Sequence, residues 1–295
     1  MLCFVVACGP SKQELEEKRK LDSLLAEQAK AKQDTPEIPP AVLSDIIQRI
    51  PSPLEISILI KEVGTKYDKS ILNSTSNIAQ YNSNFKKAIN LGIYGTDLGY
   101  TNIYKQNQDA LFYLNAIKNL ADGLNIGQFF DFTTIKRLAT NSSNLDSLLL
   151  ITTQNFEKIN QYLQDQQRAN LSILLLTGGW LEALHITCQV NKLNPNKELS
   201  DRIGEQKIIL DQLMLLLNLY NTDENIALFI KDLQRLHDVY SQVQIVSTYQ
   251  ESTFKEGPDG TLIVENNSSS SIQVTEQNIA DISQIADEIR NKMIK

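Results

Sequence analysis

Residues 169–190, ANLSILLLTGGWLEALHITCQV, form the longest apolar stretch of the chain. Whether they cross a membrane or fill a core decides the fold. Length permits a crossing, since about 20 apolar residues span a bilayer. Gly178, Gly179, Glu182 and His185 lie inside the stretch, and ionisable side chains are costly in hydrocarbon. The stretch is therefore read as a buried bundle helix. Gly178 and Gly179 let a neighbouring helix approach closely or kink this one. Trp180, the only tryptophan, is expected to fill the core beside them.

Helical periodicity continues on both sides. Leu145, Leu148, Leu149, Thr152, Phe156, Ile159 and Leu163 recur at steps of three and four. Ile226, Phe229, Ile230, Leu233, His237 and Tyr240 repeat the pattern, with Thr222 as the expected N-cap and Asp223 and Glu224 in the first turn. Between these two, residues 203–220 are apolar over most of the circumference, as a central helix should be. Segments 54–63, 78–94, 110–123 and 133–139 also read as helices. Near the C-terminus the period changes to two: Val243, Ile245, Ser247 and Tyr249 alternate with Gln244, Val246, Thr248 and Gln250. Gly257-Pro258-Asp259-Gly260 is a turn, 261–265 a second strand and 271–274 a third. Thr275 then caps a final helix carrying Ile279, Ile282, Ala286, Ile289 and Met293. The expected fold class is mainly α: an antiparallel multi-helix bundle of seven or eight helices with a small C-terminal β-hairpin and a final helix.

Composition narrows the function. The 295 residues carry a net charge of -7, a pI near 5.0 and a mean hydropathy of -0.24. That balance argues against nucleic acid or anionic lipid as the main partner. Three cysteines, Cys3, Cys8 and Cys188, do not make a disulfide framework. Glu182 and His185 have the Glu-x-x-His spacing of di-iron bundles, which need a second such pair. The only other histidine, His237, has Gln234 at that position instead of an acid. No phosphate-binding glycine loop or Gly-x-Ser-x-Gly elbow occurs. Accordingly no catalytic residue, metal or cofactor is assigned, and a non-enzymatic role is expected.

Residues 90–100, NLGIYGTDLGY, are the most distinctive local pattern. Gly92, Gly95 and Gly99 fall on one helical face as a groove for another backbone; each costs about 1 kcal/mol against alanine, which tight packing must offset. Tyr94, Asp97, Tyr100 and Tyr104 accompany them. These four are the candidate ligand-binding set of an inter-helix pocket. The competing expectation is packing, with tyrosines closing a core and keeping their hydroxyls wet.

At the N-terminus Val5-Val6-Ala7-Cys8 follows a short apolar run and precedes a wholly polar segment. It resembles the lipobox of bacterial lipoproteins. The resemblance implies cleavage after Ala7, lipid on Cys8 and anchoring in the cell envelope without a transmembrane helix, because two buried acyl chains hold a protein on a bilayer. The match departs in length: seven residues, none basic, precede Cys8, so 1–7 reads as the remnant of a signal peptide. Residues 8–40 form a charged tether with Glu14–Lys18 and Glu16–Lys20 at i,i+4, closed by Thr35-Pro36-Glu37-Ile38-Pro39-Pro40. The bundle then covers 41–241, and the hairpin and docking helix 242–295. The 90–100 stretch, continued through 104–108 to 120–122, together with the helix 275–295, is loosely similar to uncharacterised helical lipoproteins of Bacteroidota. That group implies an envelope location, periplasm-facing, and no assigned activity. The partners expected are the membrane, through the N-terminal lipid, and an envelope protein.

Overall fold

Ser83 accepts a hydrogen bond from the Lys86 amide at 3.1 Å, and this cap starts the first long helix, α1 (Asn84–Ile103). The structure, a computed structural model, describes residues 59–139, 145–248, 253–256, 262–265 and 269–295. All of them belong to one compact unit, residues 40–295. After α1 come α2 (Asn107–Gly123), α3 (Phe132–Ala139), α4 (Leu145–Asp165), α5 (Ala169–Leu193), α6 (Lys197–Asn218) and α7 (Glu224–Tyr240). Four short strands and α8 (Glu276–Met293) complete the chain. The protein is a mainly α, antiparallel multi-helix bundle with a small β-ribbon and a final helix, as its periodicity implies. The signal segment, Cys8, the tether and the start of the 54–63 helix lie outside the described residues.

Helix 169–193 settles the opening question. It is the one described helix long and apolar enough to cross a membrane, and 89% of its apolar window is buried inside the bundle. Its most extensive neighbour is α1. The two backbones meet where Gly92 faces Leu175 and Gly179, and where Gly178 faces Ile89. A Cβ on Gly92 would overlap the Leu175 carbonyl oxygen, and one on Gly178 would overlap that of Ile89. Thr96 seals the crossing by donating to the Gly179 carbonyl at 3.0 Å. Gly95 takes no part: it is exposed, and nothing lies within 4 Å of where its Cβ would stand. The expected glycine face is thus narrower than its spacing suggests, because the reciprocal glycines sit on α5. Trp180 fills the core as expected, its indole N–H donating to Gln206 Oε1 at 2.9 Å.

Several boundaries shift from their sequence reading. The helix expected at 78–94 begins at Asn84 and runs to Ile103, because Thr75–Gln80 closes a separate 3-10 turn capped by Ser74. Asp223, not Thr222, caps α7: its carboxylate accepts from the Asn225 and Ile226 amides, a charge-assisted role a threonine hydroxyl fills less well. At α6, Asn196 accepts from Glu198 and Leu199 amides and starts the helix before Ile203. Lys105, Asn125 and Gln167 take positive φ just past α1, α2 and α4, reversing the chain in few residues.

The β region is a ribbon of two nested antiparallel ladders. β1 (Gln244–Thr248) pairs with β4 (Ser269–Gln273), and inside it β2 (Thr253–Glu256) pairs with β3 (Leu262–Glu265). The third expected strand therefore returns to the first rather than adding to the second. β2 was not legible because Lys255 and Glu256 hide its alternation. The ribbon's base sits on α6, where Gly204 leaves room for Ile272 and Lys207 Nζ donates to the Val243 carbonyl at 2.7 Å. Thr275 and Asn278 then form a reciprocal capping box for α8.

Candidate functional site

Two features of the bundle gather polar groups: a largely buried network at its centre and an open groove at one end. The network is built on α5, α8, α1, α2 and the segment that precedes α1. From α5, Glu182 accepts from Arg290 of α8 with both oxygens, Nε to Oε2 at 2.8 Å and Nη2 to Oε1 at 2.7 Å. Burial works against the guanidinium's charge, but the Glu182 carboxylate outweighs it and raises the Arg290 pKa. One turn on, His185 Nδ1 meets Asp287 Oδ1 at 2.6 Å and Nε2 meets the Ile71 carbonyl at 2.9 Å. The Ile71 carbonyl can only accept, so Nε2 donates to it. Arg290 Nη2 also reaches the Ile71 carbonyl, at 3.2 Å. The Glu-x-x-His spacing thus serves helix docking: both side chains turn onto α8.

The segment is Thr65 to Tyr81, laid over α1. Its Asn73 donates through the backbone N–H to Asp97 Oδ2 at 3.3 Å and through Nδ2 to Tyr81 Oη and Asn90 Oδ1. Tyr113 Oη donates to the Asn73 carbonyl at 3.0 Å. The predicted ligand set lies against this segment. Tyr94 is fully buried and donates to the Ser74 carbonyl at 2.9 Å. Tyr100, also fully buried, accepts from the Asp68 amide at 3.3 Å, and burial pushes its hydroxyl up to about 12. Tyr104 shares a 2.7 Å bond with Thr65. Asp97 is fully buried. The Tyr94 and Tyr100 hydroxyls, expected to stay wet, instead hold down backbone, since an unpaired buried polar group is costly.

The groove lies elsewhere, between the α5–α6 elbow, the foot of the ribbon and α8, and has a volume of about 1300 Å³. Gln242, Gln244, Gln273, Asn191, Asn196 and Asn278 are among its lining residues, beside the partly apolar Ile272, Val274 and Ile279. Tyr94, Asp97, Tyr100 and Tyr104 do not line it. Cys188 and Asp287 form part of its wall, and His185 meets Asp287 from the bundle side. They do not make a nucleophilic triad. The imidazole is committed to Asp287 and Ile71, and burial, then the Asp287 charge, raise the Cys188 thiol despite a Ser283 hydrogen bond.

Arg290, Asn73, Asn90 and Asp287 were not singled out by sequence reasoning. Arg290 carried a usable mark: it stands beside Ile289 on the apolar face of α8, where a cation demands a buried partner. Asn73 carried none. No group of three or more metal-ligating side chains occurs among the described residues. Comparison of the chain with protein-family models, curated proteins and solved structures finds no match.

Proposed function

We propose that this chain is a lipid-anchored protein of a bacterial envelope, attached through Cys8, whose helical bundle is a non-enzymatic module that binds a protein partner. The lipobox-like Val5-Val6-Ala7-Cys8 and the charged segment after it support the anchor. The observation that carries the binding reading is the open groove. Its walls mix the exposed amide side chains of Gln244 and Gln273, whose group can both donate to and accept from a peptide backbone, with the partly exposed aliphatics Ile272, Val274 and Ile279. The titratable groups at the bundle centre, by contrast, are spent on one another and on the 65–81 segment.

The test has two arms in cells producing the full chain. Fractionation is expected to place the protein with membranes and its Cys8→Ala variant in the soluble fraction; a soluble parent overturns the anchor. A photo-crosslinker at Gln273 or Gln244 is expected to give one discrete adduct that the same group at exposed Glu157 on α4 does not. Equal labelling from both faces overturns the groove as the docking site.

A further inference from the structure

The centre of the bundle contains more negative than positive groups. Asp97 and Glu182, both fully buried, supply two carboxylates, while Arg290 supplies one cation. Asp97 is fully buried, and its Oδ1 has no hydrogen-bond donor within reach. A bare carboxylate oxygen in that position is among the costliest groups a core can hold. Glu182 is the adjacent acid, and each of its oxygens takes one hydrogen from Arg290 and keeps a lone pair to accept another. The orphan atom is explained if it carries a hydrogen and is a donor rather than an acceptor.

We infer that the folded core binds one proton on Asp97 Oδ1, shared with Glu182, and that this proton couples docking of the 65–81 segment to pH. The added proton balances two buried carboxylates against one cation. It also turns repulsion between Asp97 and Glu182 into a hydrogen bond. The groups facing Asp97 are Glu182 on α5, Arg290 on α8, Tyr113 on α2, Tyr94 on α1, and Tyr67 and the Asn73 amide on the overlying segment. Burial and the Glu182 charge raise the carboxyl; Arg290 and the Asn73 N–H oppose them and do not prevail. Loss of the proton leaves a buried charge that the single Asn73 N–H cannot satisfy, and water reaches it when the segment anchored by Asn73 lifts.

The sign of the pH dependence follows. Asp97 keeps its proton when folded and releases it when unfolded above the ordinary aspartate value of 3.8. Its stabilising contribution is full below that pH, declines as pH rises, and is gone once pH passes the folded value.

The experiment uses the full chain, uniformly ¹³C-labelled at aspartate carboxyls, with infrared spectroscopy at pH 7. A protonated-carboxyl C=O band that moves on aspartate labelling is expected. Absence of such a band, or one unmoved by the label, overturns the assignment. Urea unfolding from pH 5 to 8 gives the second readout. Relative to Asp97→Asn, whose amide can donate in place of the acid, the parent's folding equilibrium constant should fall up to tenfold per pH unit, about 1.4 kcal/mol. Parallel pH profiles overturn the coupling. Should Asp97→Asn not fold, the labelled parent decides alone: its band must fade with alkali together with faster amide exchange across residues 68–81.

Discussion

Glu182 and Arg290 are joined by two hydrogen bonds in a site that excludes water; the Glu182 side chain is 0% exposed and that of Arg290 7%. Such a pair adds little over a well-packed apolar alternative, yet leaving one partner behind strands a charge. Glu182→Ala is therefore expected to lower stability by about 3–5 kcal/mol in urea unfolding. Combining it with Arg290→Met should cost less than the two single losses added together, since neither charge is then orphaned. Cys188 gives a second test at this scale. Its thiol is 1% exposed with a raised pKa, so iodoacetamide at pH 8 should leave the Cys188 peptide unmodified in the native chain and modify it fully in urea, as read by mass spectrometry. Labelling of the native protein at the rate of a free thiol would contradict the burial described.

Among elements, the crossing of α1 and α5 is where glycine chemistry matters most. Gly92→Ala and Gly178→Ala each place a methyl group into opposing backbone, which cannot retreat as a flexible side chain would. Each is expected to destabilise by about 1–3 kcal/mol despite alanine's better helix propensity. Gly95→Ala is the control on the same helix: with open space around it, the change should stabilise by about 0.5–1 kcal/mol. Thermal melts of the three variants check the ordering, and a destabilised Gly95→Ala would mean that the exposed face of α1 has a packing partner. These glycines were legible as a close-packing signal, but which of them touched α5 was not. That depends on the angle at which two helices cross, and the one-dimensional spacing carries no information about it. The α7 cap shows the same limit at shorter range: Thr222 and Asp223 both suit an N-cap, and only the backbone geometry selected Asp223.

Across the whole molecule, α8 is the closing piece. It contacts α7, α5, α6 and α1, contributes Arg290 and Asp287 to the network, and ends with its last carbonyls held by Lys86 and Asn90 from α1. Truncation after Val274 removes all of these at once. The shortened chain is expected to lose cooperative thermal unfolding by circular dichroism while retaining helical signal, the behaviour of a collapsed state without fixed packing. A sharp transition close to that of the parent would show that α8 docks peripherally. The groove also depends on this helix, since residues 275–291 supply one of its walls.

Residue order by itself determined the helical class, the reading of 169–190 as core, the capped final helix and the change of period at the ribbon. Each of these is a local property, set by spacing against a fixed helical or strand repeat. Tertiary structure alone decided that Glu182 and His185 face α8, that Tyr94, Asp97 and Tyr100 lie beneath the 65–81 segment, and that the open groove lies at the α5–α6 elbow. Those outcomes join residues as far apart as Ile71 and Arg290. A buried polar group must find a partner wherever packing brings one, and no sequence interval announces where that will be.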